Sequence, residues 1–339
     1  MPKLYFLSKA QSAMSELFSL EARTLDIEFH GIYTDYGADL ITLVENQIII
    51  NGDLIEKNDA IIAHGIKPEF ISIPDDHQPV NRDYLNDSQL KKEQQHSFVM
   101  SLCEYAKNIG IKAVNSPMSL FNNYNKYYNL QTIGKSGATI PQIFLSNSYK
   151  DFLDSGLDSE LYFWSYVDSD SPVKVIHKNK IAELFAGNEL PKIIMPYIEG
   201  NLIKMWYFGD SVIAGAIYSK PNFDFTDEKP EYFKFIAENE AMKNFGDLLY
   251  KALKIDFCEV TGIVTEQGEM YVLNIAPDSE ISALPEGAGE YIAHNILCKL
   301  FDKESQRDNI SEISGYKSSV FLSRMLDPLF EFEIKAVGK

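Results

Sequence analysis

Apolar and polar positions follow two rhythms along this chain, and the change from one to the other marks its elements. Lys3 to Leu7 is a short apolar run of strand character, and from Ala10 to Ala22 the residues Met14, Leu17, Phe18 and Leu20 recur at roughly helical spacing. Strand-like pieces follow at Leu25 to His30 and Leu40 to Val44. A hairpin is predicted over Gln47 to Ile55, because Asn51-Gly52-Asp53 at its centre is a strong turn signal. Asp59 to Ala63 reads as a compact buried strand. Phe98, Leu102, Tyr105 and Ile109 make a helical stripe that Gly110 ends, Lys112 to Val114 is a strand, and Asn115-Ser116-Pro117 is a turn. This strand-helix-strand succession predicts a small α/β domain.

The second half changes character. Leu161 to Ile176 contains a strand, Ile193 to Gly200 an apolar strand run, and the stretch through Lys204 to Ser219 a hairpin turning at Gly209-Asp210. Phe235 to Leu253 has helical spacing through Ile236, Met242, Phe245, Leu248 and Leu249. From Ile255 to Pro277 two strands rich in β-branched residues flank the polar turn Thr265 to Glu269. Period-two counting puts Glu259, Thr261 and Ile263 on one face of the first, and Val272, Asn274 and Ala276 on one face of the second. Polar groups in mid-strand cost free energy unless they have partners or face a site, so this face is the candidate functional surface. Gly287 to Leu300 is a terminal helix. The polar stretch from Pro74 to Gln95 reads as a surface excursion, a mobile loop or a lid.

Composition narrows the classes. The 339 residues allow two or three domains, and 45% hydrophobic and 12% aromatic content suits a folded soluble protein. A net charge of −18 excludes a nucleic-acid backbone as the expected partner, since phosphate binding needs a surplus of Lys and Arg. Cys103, Cys258 and Cys298 are widely spaced in apolar surroundings and are expected to be reduced core residues. No export signal and no apolar run of membrane-spanning length is apparent, so neither a membrane span nor export is expected and a cytoplasmic location is the default.

Several of these stretches resemble the ATP-grasp superfamily, in particular the RimK-type glutamate ligases and glutathione synthetase-like enzymes. The strands CEVTGIV and MYVLNIA are similar to the family's closing hairpin, whose metal-binding Asp, Glu and Asn fall on Thr261, Asn274 and Ala276. The Asn115-Ser116-Pro117 turn, Lys126 at the head of a helix and SGATIP after it match a second family segment, in which the Lys contacts nucleotide phosphate. In Leu161 to Ile176 the family's second Lys is replaced by Trp164 or Ser165, and Asp168 to Pro172 stands in place of its glycine loop, with Lys174 on the strand beyond. IIMPYIEG resembles the adenine-contacting linker, giving Met195, Pro196, Tyr197 and Ile198 as base contacts, while Lys204 and Lys220 take positions of the basic residues that face the phosphates. IIINGDLIEKNDAIIAHG resembles the hairpin and strand of the family's first domain, with His64 near its Arg.

The resemblance implies an α/β (α+β) chain with an ATP-grasp fold behind a small pre-ATP-grasp domain: residues 1–116, then 117–305 in two subdomains (118–192 and 193–305), then a C-terminal extension, 306–339. Two functions follow from it. One is an ATP-dependent carboxylate-amine ligase with Lys126, Lys204 and Lys220 on phosphates and the Asn274 carbonyl on a poorly held Mg²⁺. The other is a catalytically lapsed homologue that binds a nucleotide, a peptide or a protein partner. Thr261 and Asn274 cannot supply the carboxylate oxygens that Mg²⁺ prefers, and a displaced site would have to draw on Glu259, Asp278 or Glu280. An open cleft with Lys126 and Lys204 converging is expected for the ligase; a cleft filled by Trp164, Trp206 or Tyr166 is expected for the lapsed homologue. The apolar tail VFLSRMLDPLFEFEI is a candidate to dock on the body of the protein or on another subunit, of the same or a different chain.

Overall fold

The computed structural model describes residues 1–33, 41–66, 97–99, 101–115, 119, 123–187, 190–219, 232–236, 238, 240–285 and 287–305. The polar stretch at 74–95, the acidic stretch at 222–231 and the extension at 306–339 lie outside them. The chain divides into two compact units, one of residues Met1–Asn122 with Ala293–Ser305 and one built on Asn123–Ile292.

The first unit carries a four-stranded parallel sheet of β1 (Lys3–Ser8), β2 (Glu28–Tyr33), β6 (Ala60–Ala63) and β7 (Lys112–Val114), in the order β2-β1-β6-β7. Helix α1 (Ala13–Thr24) starts at a capping box in which Ser12 and Ser15 exchange side-chain-to-backbone bonds, and it buries Met14, Leu17 and Phe18. The predicted hairpin is β4 (Gln47–Ile50) and β5 (Asp53–Leu54), joined to β3 (Ile41–Val44) in an antiparallel sheet. Its turn has Asn51 at φ 53° and Gly52 at φ 88°, both left-handed, which is why Asn-Gly is found there. Ile48 and Ile50 pack into one core with Tyr5, Leu7, Ile61 and Leu102. The second strand starts at Glu28 rather than Leu25, because Leu25 and Ile27 close the helix through bonds to the Ala22 carbonyl.

The second unit holds two antiparallel sheets. In the smaller one, β8 (Phe144–Ser146), β9 (Leu161–Tyr166), β10 (Lys174–His177) and β11 (Lys192–Pro196) run in the order β10-β9-β11-β8. In the larger, β12 (Asn201–Phe208), β13 (Ser211–Ser219), β14 (Tyr232–Ile236), β15 (Phe257–Val264) and β16 (Met270–Ala276) run in the order β14-β13-β12-β15-β16. Helix α2 (Lys126–Lys135) packs on β16, and among the following helices α3 (Tyr149–Asp154) and α4 (Ile181–Phe185) contact one another. Helix α5 (Glu240–Leu253) covers the apolar face of the larger sheet, where the Tyr207 hydroxyl donates to the Met242 carbonyl at 3.2 Å. Helix α6 (Ala288–Leu300) closes the described chain. The run from Phe235, read as the start of a helix, instead opens with the end of strand β14, paired along β13 from Ser219 to Gly215. Pairing to an existing edge overrides helical spacing there.

Gly246 shows how closely α5 sits. A Cβ at this position would lie 2.5 Å from the Asp210 carbonyl oxygen and 2.9 Å from the Tyr207 ring. Gly246→Ala is therefore expected to cost about 1–3 kcal/mol in urea unfolding despite the better helix propensity of Ala. A stabilised variant would show that the helix can move away. All three cysteines are buried and none is in a disulfide, in keeping with their apolar surroundings. Among the described residues, no helix is long and apolar enough to cross a membrane.

Candidate functional site

The site is built on three adjacent strands of the larger sheet. Lys204 of β12 pairs with Thr261 of β15, and Thr261 pairs with Asn274 of β16, so the three side chains form one row across the sheet. One step along, Trp206 pairs with Glu259 and Glu259 with Ala276. The period-two reading holds for β15, whose register with β12 is regular. It fails in β16: Thr261 faces Asn274 but Gly262 faces Val272, so Leu273 is an extra residue. That bulge turns Val272 away from the face assigned to it and brings Tyr271 opposite Ile263. On the outer edge of β16 the Val272 N–H donates to the Thr139 carbonyl at 3.0 Å, which ties the segment after α2 along this strand.

Lys126 is at the head of α2, with Asn125 as N-cap. It is fully buried, and its ammonium position is occupied by the chain itself: Nζ donates to the Ser171 carbonyl at 2.7 Å. The segment holding that carbonyl is fastened along the helix entry. The Lys126 N–H bonds the Val167 carbonyl and the Ser169 N–H bonds the Tyr124 carbonyl, each at 2.7 Å, around a bridge between Asn125 and Asp168. Asp168 accepts from the Ser171 N–H at 2.7 Å and from its hydroxyl at 2.5 Å, fixing the direction of the Ser171 carbonyl. Burial pulls the Lys126 amine down to about 7, against the opposing pull of Asp168 and Asp170.

Asn274, expected to offer its carbonyl to a metal, uses its amide nitrogen instead, donating to the Ser169 carbonyl at 2.8 Å. Its Oδ1 and the Ser169 Oγ are both buried without a hydrogen-bond partner. Lys204 makes a salt bridge to Glu259 Oε1 at 2.7 Å. The other Glu259 oxygen accepts from Ser279 at 2.7 Å, and the fully buried Trp206 indole donates to the same serine at 3.3 Å. Burial pushes the Glu259 carboxyl up, but Lys204, Ser279 and Trp206 together leave it below its usual value.

These geometries decide the fit of a nucleotide and its metal. The row Lys204, Thr261, Asn274 contains no carboxylate, and the one acid beside it already has both oxygens engaged. Among the described residues no group of His, Cys, Asp and Glu could hold a metal ion. A Mg²⁺ ion does not fit this donor set.

The other sequence candidates fall as follows. Met195 is buried, and Pro196, Tyr197 and Ile198 are half-buried at the end of β11; the Tyr197 ring lies 5.0 Å from that of Phe163 and its N–H donates to the Leu161 carbonyl at 3.1 Å. Lys174 stands across from Trp164 with Nζ 5.8 Å from the ring centroid, an arrangement of cation over π face. His64 is packed near Phe6 at the end of β6, its N–H on the Leu7 carbonyl. Lys220 lies outside the described residues. Sequence reasoning missed Ser171 and Ser169, whose contribution is a backbone carbonyl that no side-chain pattern announces. It also missed Glu259 as the partner of Lys204, which the strand register alone reveals.

No family model matches the sequence, and no curated protein is similar to it at a significant level. Solved structures are similar in shape. The ATP-grasp ligase PsnB, complexed with a phosphomimetic variant of a minimal precursor, Mg and ADP, superposes with a TM-score of 0.72 at 13% identity over 88% of this chain and 97% of that one. A RiPP-associated ATP-grasp ligase of Chryseobacterium gregarium, in complex with ADP and a leader and core peptide, gives 0.66 at 14% identity over 91% and 99%. The macrocyclase MdnC of Microcystis aeruginosa MRC, bound with precursor peptide MdnA, gives 0.63 at 13% over 87% and 99%. Identities this low speak of architecture alone, and the architecture of this chain is that of the ATP-grasp ligases.

Proposed function

We propose that this protein is a catalytically lapsed ATP-grasp homologue that uses the fold to bind a peptide or a protein partner rather than to transfer phosphate. One observation carries the reading: the three polar groups that the family resemblance assigns to nucleotide and metal are bonded to the chain's own Ser171 carbonyl, Glu259 carboxylate and Ser169 carbonyl. Phosphoryl transfer relies on metal ions and cations to neutralise charge between the transferring oxygens, and here Lys126 and Lys204 are spoken for and the row Lys204, Thr261, Asn274 holds no carboxylate. Structural neighbours complexed with precursor peptides support a peptide as the ligand. The net charge of −18 favours a basic one.

The ligase reading draws its support from neighbours complexed with Mg and ADP. Calorimetry separates the two. Titration of ATP and ADP at millimolar concentration, with Mg²⁺ and again with chelator, is expected to give no metal-dependent heat. Metal-dependent binding that disappears in the Lys126→Ala, Lys204→Ala double variant would overturn the proposal and reinstate the ligase.

A further inference from the structure

We infer that residues Asp168 to Pro172 form a plug that occupies the phosphate subsite of this fold, and that a nucleoside diphosphate or triphosphate enters only when the plug is released. The inference rests on the reading just given and adds a regulated state to it. A phosphate oxygen and a peptide carbonyl are both acceptors for an amine, and the Ser171 carbonyl holds the Lys126 Nζ at 2.7 Å. The acceptor is delivered by a segment pinned to its surroundings at three points, the Val167 and Ser169 backbone bonds to the head of α2 and the Asn274 amide on the Ser169 carbonyl, while the Asp168 side chain, bonded to Ser171 within the segment, fixes the turn that presents the Ser171 carbonyl. With the segment in place, Lys126 has no exposed surface for an outside anion to reach.

The closed arrangement is also imperfect. It leaves the Ser169 hydroxyl and the Asn274 carbonyl oxygen buried without partners, although both groups would be satisfied by solvent once the segment lifted. Release therefore returns hydration to two polar atoms while it breaks the pinning bonds, so the closed state is favoured less than its bond count implies. Lys126 would then be exposed at the head of α2, where a helix N-terminus adds to its attraction for phosphate. The opened subsite still lacks carboxylates, so nucleotide binding there is independent of Mg²⁺.

The test compares ADP binding to the full chain with Asp168→Ala, which cuts the tie to Ser171, and with Asp168→Asn, which removes the charge but keeps an acceptor for Ser171. Hydrogen exchange at the Lys126 and Ser169 amides reads whether the segment has lifted. The expected result is rapid exchange and at least tenfold tighter ADP binding in Asp168→Ala, unchanged by chelator, with Asp168→Asn close to the parent. Faster exchange without tighter binding would sink the plug. Equal tightening in the Asn variant would also sink it, since lost repulsion would then explain the gain. If Asp168→Ala alone leaves exchange slow, Asp168→Ala with Asn274→Ala also cuts the tie of the segment to β16; slow exchange there too means the segment is fixed structure and the inference fails. Failure of the functional reading is different: it appears as Mg²⁺-dependent ATP binding by the parent chain.

Discussion

Lys126→Met is expected to raise stability at neutral pH and to lower it at pH 10. The buried amine titrates at about 7, against 10.5 when free. Between those values the unfolded chain binds more protons than the folded one, so stability rises with pH through this window, by about 1.4 kcal/mol per unit for one group. The cost of burying the amine is fully present below pH 7, where the folded chain also carries the charge, and vanishes above 10.5. Near pH 7 it amounts to about 4 kcal/mol, while losing the bond to the Ser171 carbonyl costs the variant about 1–3 kcal/mol. The variant should therefore gain about 2 kcal/mol at pH 7 and lose about 1 kcal/mol at pH 10, where the parent carries only about 1 kcal/mol of the penalty. Urea unfolding of both proteins from pH 6 to 10 checks this. Parallel profiles for the two would mean that Lys126 stays charged in the folded state, stabilised by Asp168 and Asp170.

Lys204→Met is expected to cost more than any other single change at the site, about 3 kcal/mol. The reason lies less in the salt bridge than in what remains after it. Glu259 has a side chain only 12% exposed and would be left as a buried carboxylate whose remaining partners, Ser279, Trp206 and the Thr261 hydroxyl, carry no charge. Its carboxyl, now held below the usual range, would rise once Lys204 is gone, because burial is then unopposed by a charge. In the parent, the lowered carboxyl contributes stability that is present above its unfolded value of 4.5 and is lost as pH falls through the folded value. The variant should lose that acid transition, so the two proteins converge in stability at low pH. Adding Glu259→Gln should recover much of the loss, since an amide remains bonded to Ser279 and no charge is stranded. A double variant no better than Lys204→Met would show that packing of the lysine stem, rather than charge, is the larger effect.

These two lysines mark the boundary between what sequence and fold each determine. The strands on either side of Thr265 to Glu269, the Asn51-Gly52 turn and the stripe ending at Gly110 were legible because they are local: period, turn chemistry and helix stop act within a few residues. The order of such segments was enough to point to the ATP-grasp fold. It was also enough to show uncharged residues, Thr261 and Asn274, at the positions where the resemblance expects metal carboxylates, since absence of a charge can be read at a single position. Locality failed first at β14, where apolar spacing matched a helix and an available strand edge decided otherwise.

The state of the retained lysines was beyond the sequence altogether. Whether Lys204 faces a ligand or Glu259 depends on the register of β12 against β15, residues more than fifty positions apart. Whether Lys126 is a solvated cation or a neutral buried amine depends on the Ser171 carbonyl, 45 residues away, and a backbone carbonyl has no residue type to betray it. The extra residue Leu273 shifts the face of β16 through a hydrogen-bond pattern that alternation cannot encode. The amino-acid sequence by itself determined which charged groups the site possesses; tertiary structure decided which of them are already neutralised, because pairing energy depends on distance and burial and neither is a property of one residue.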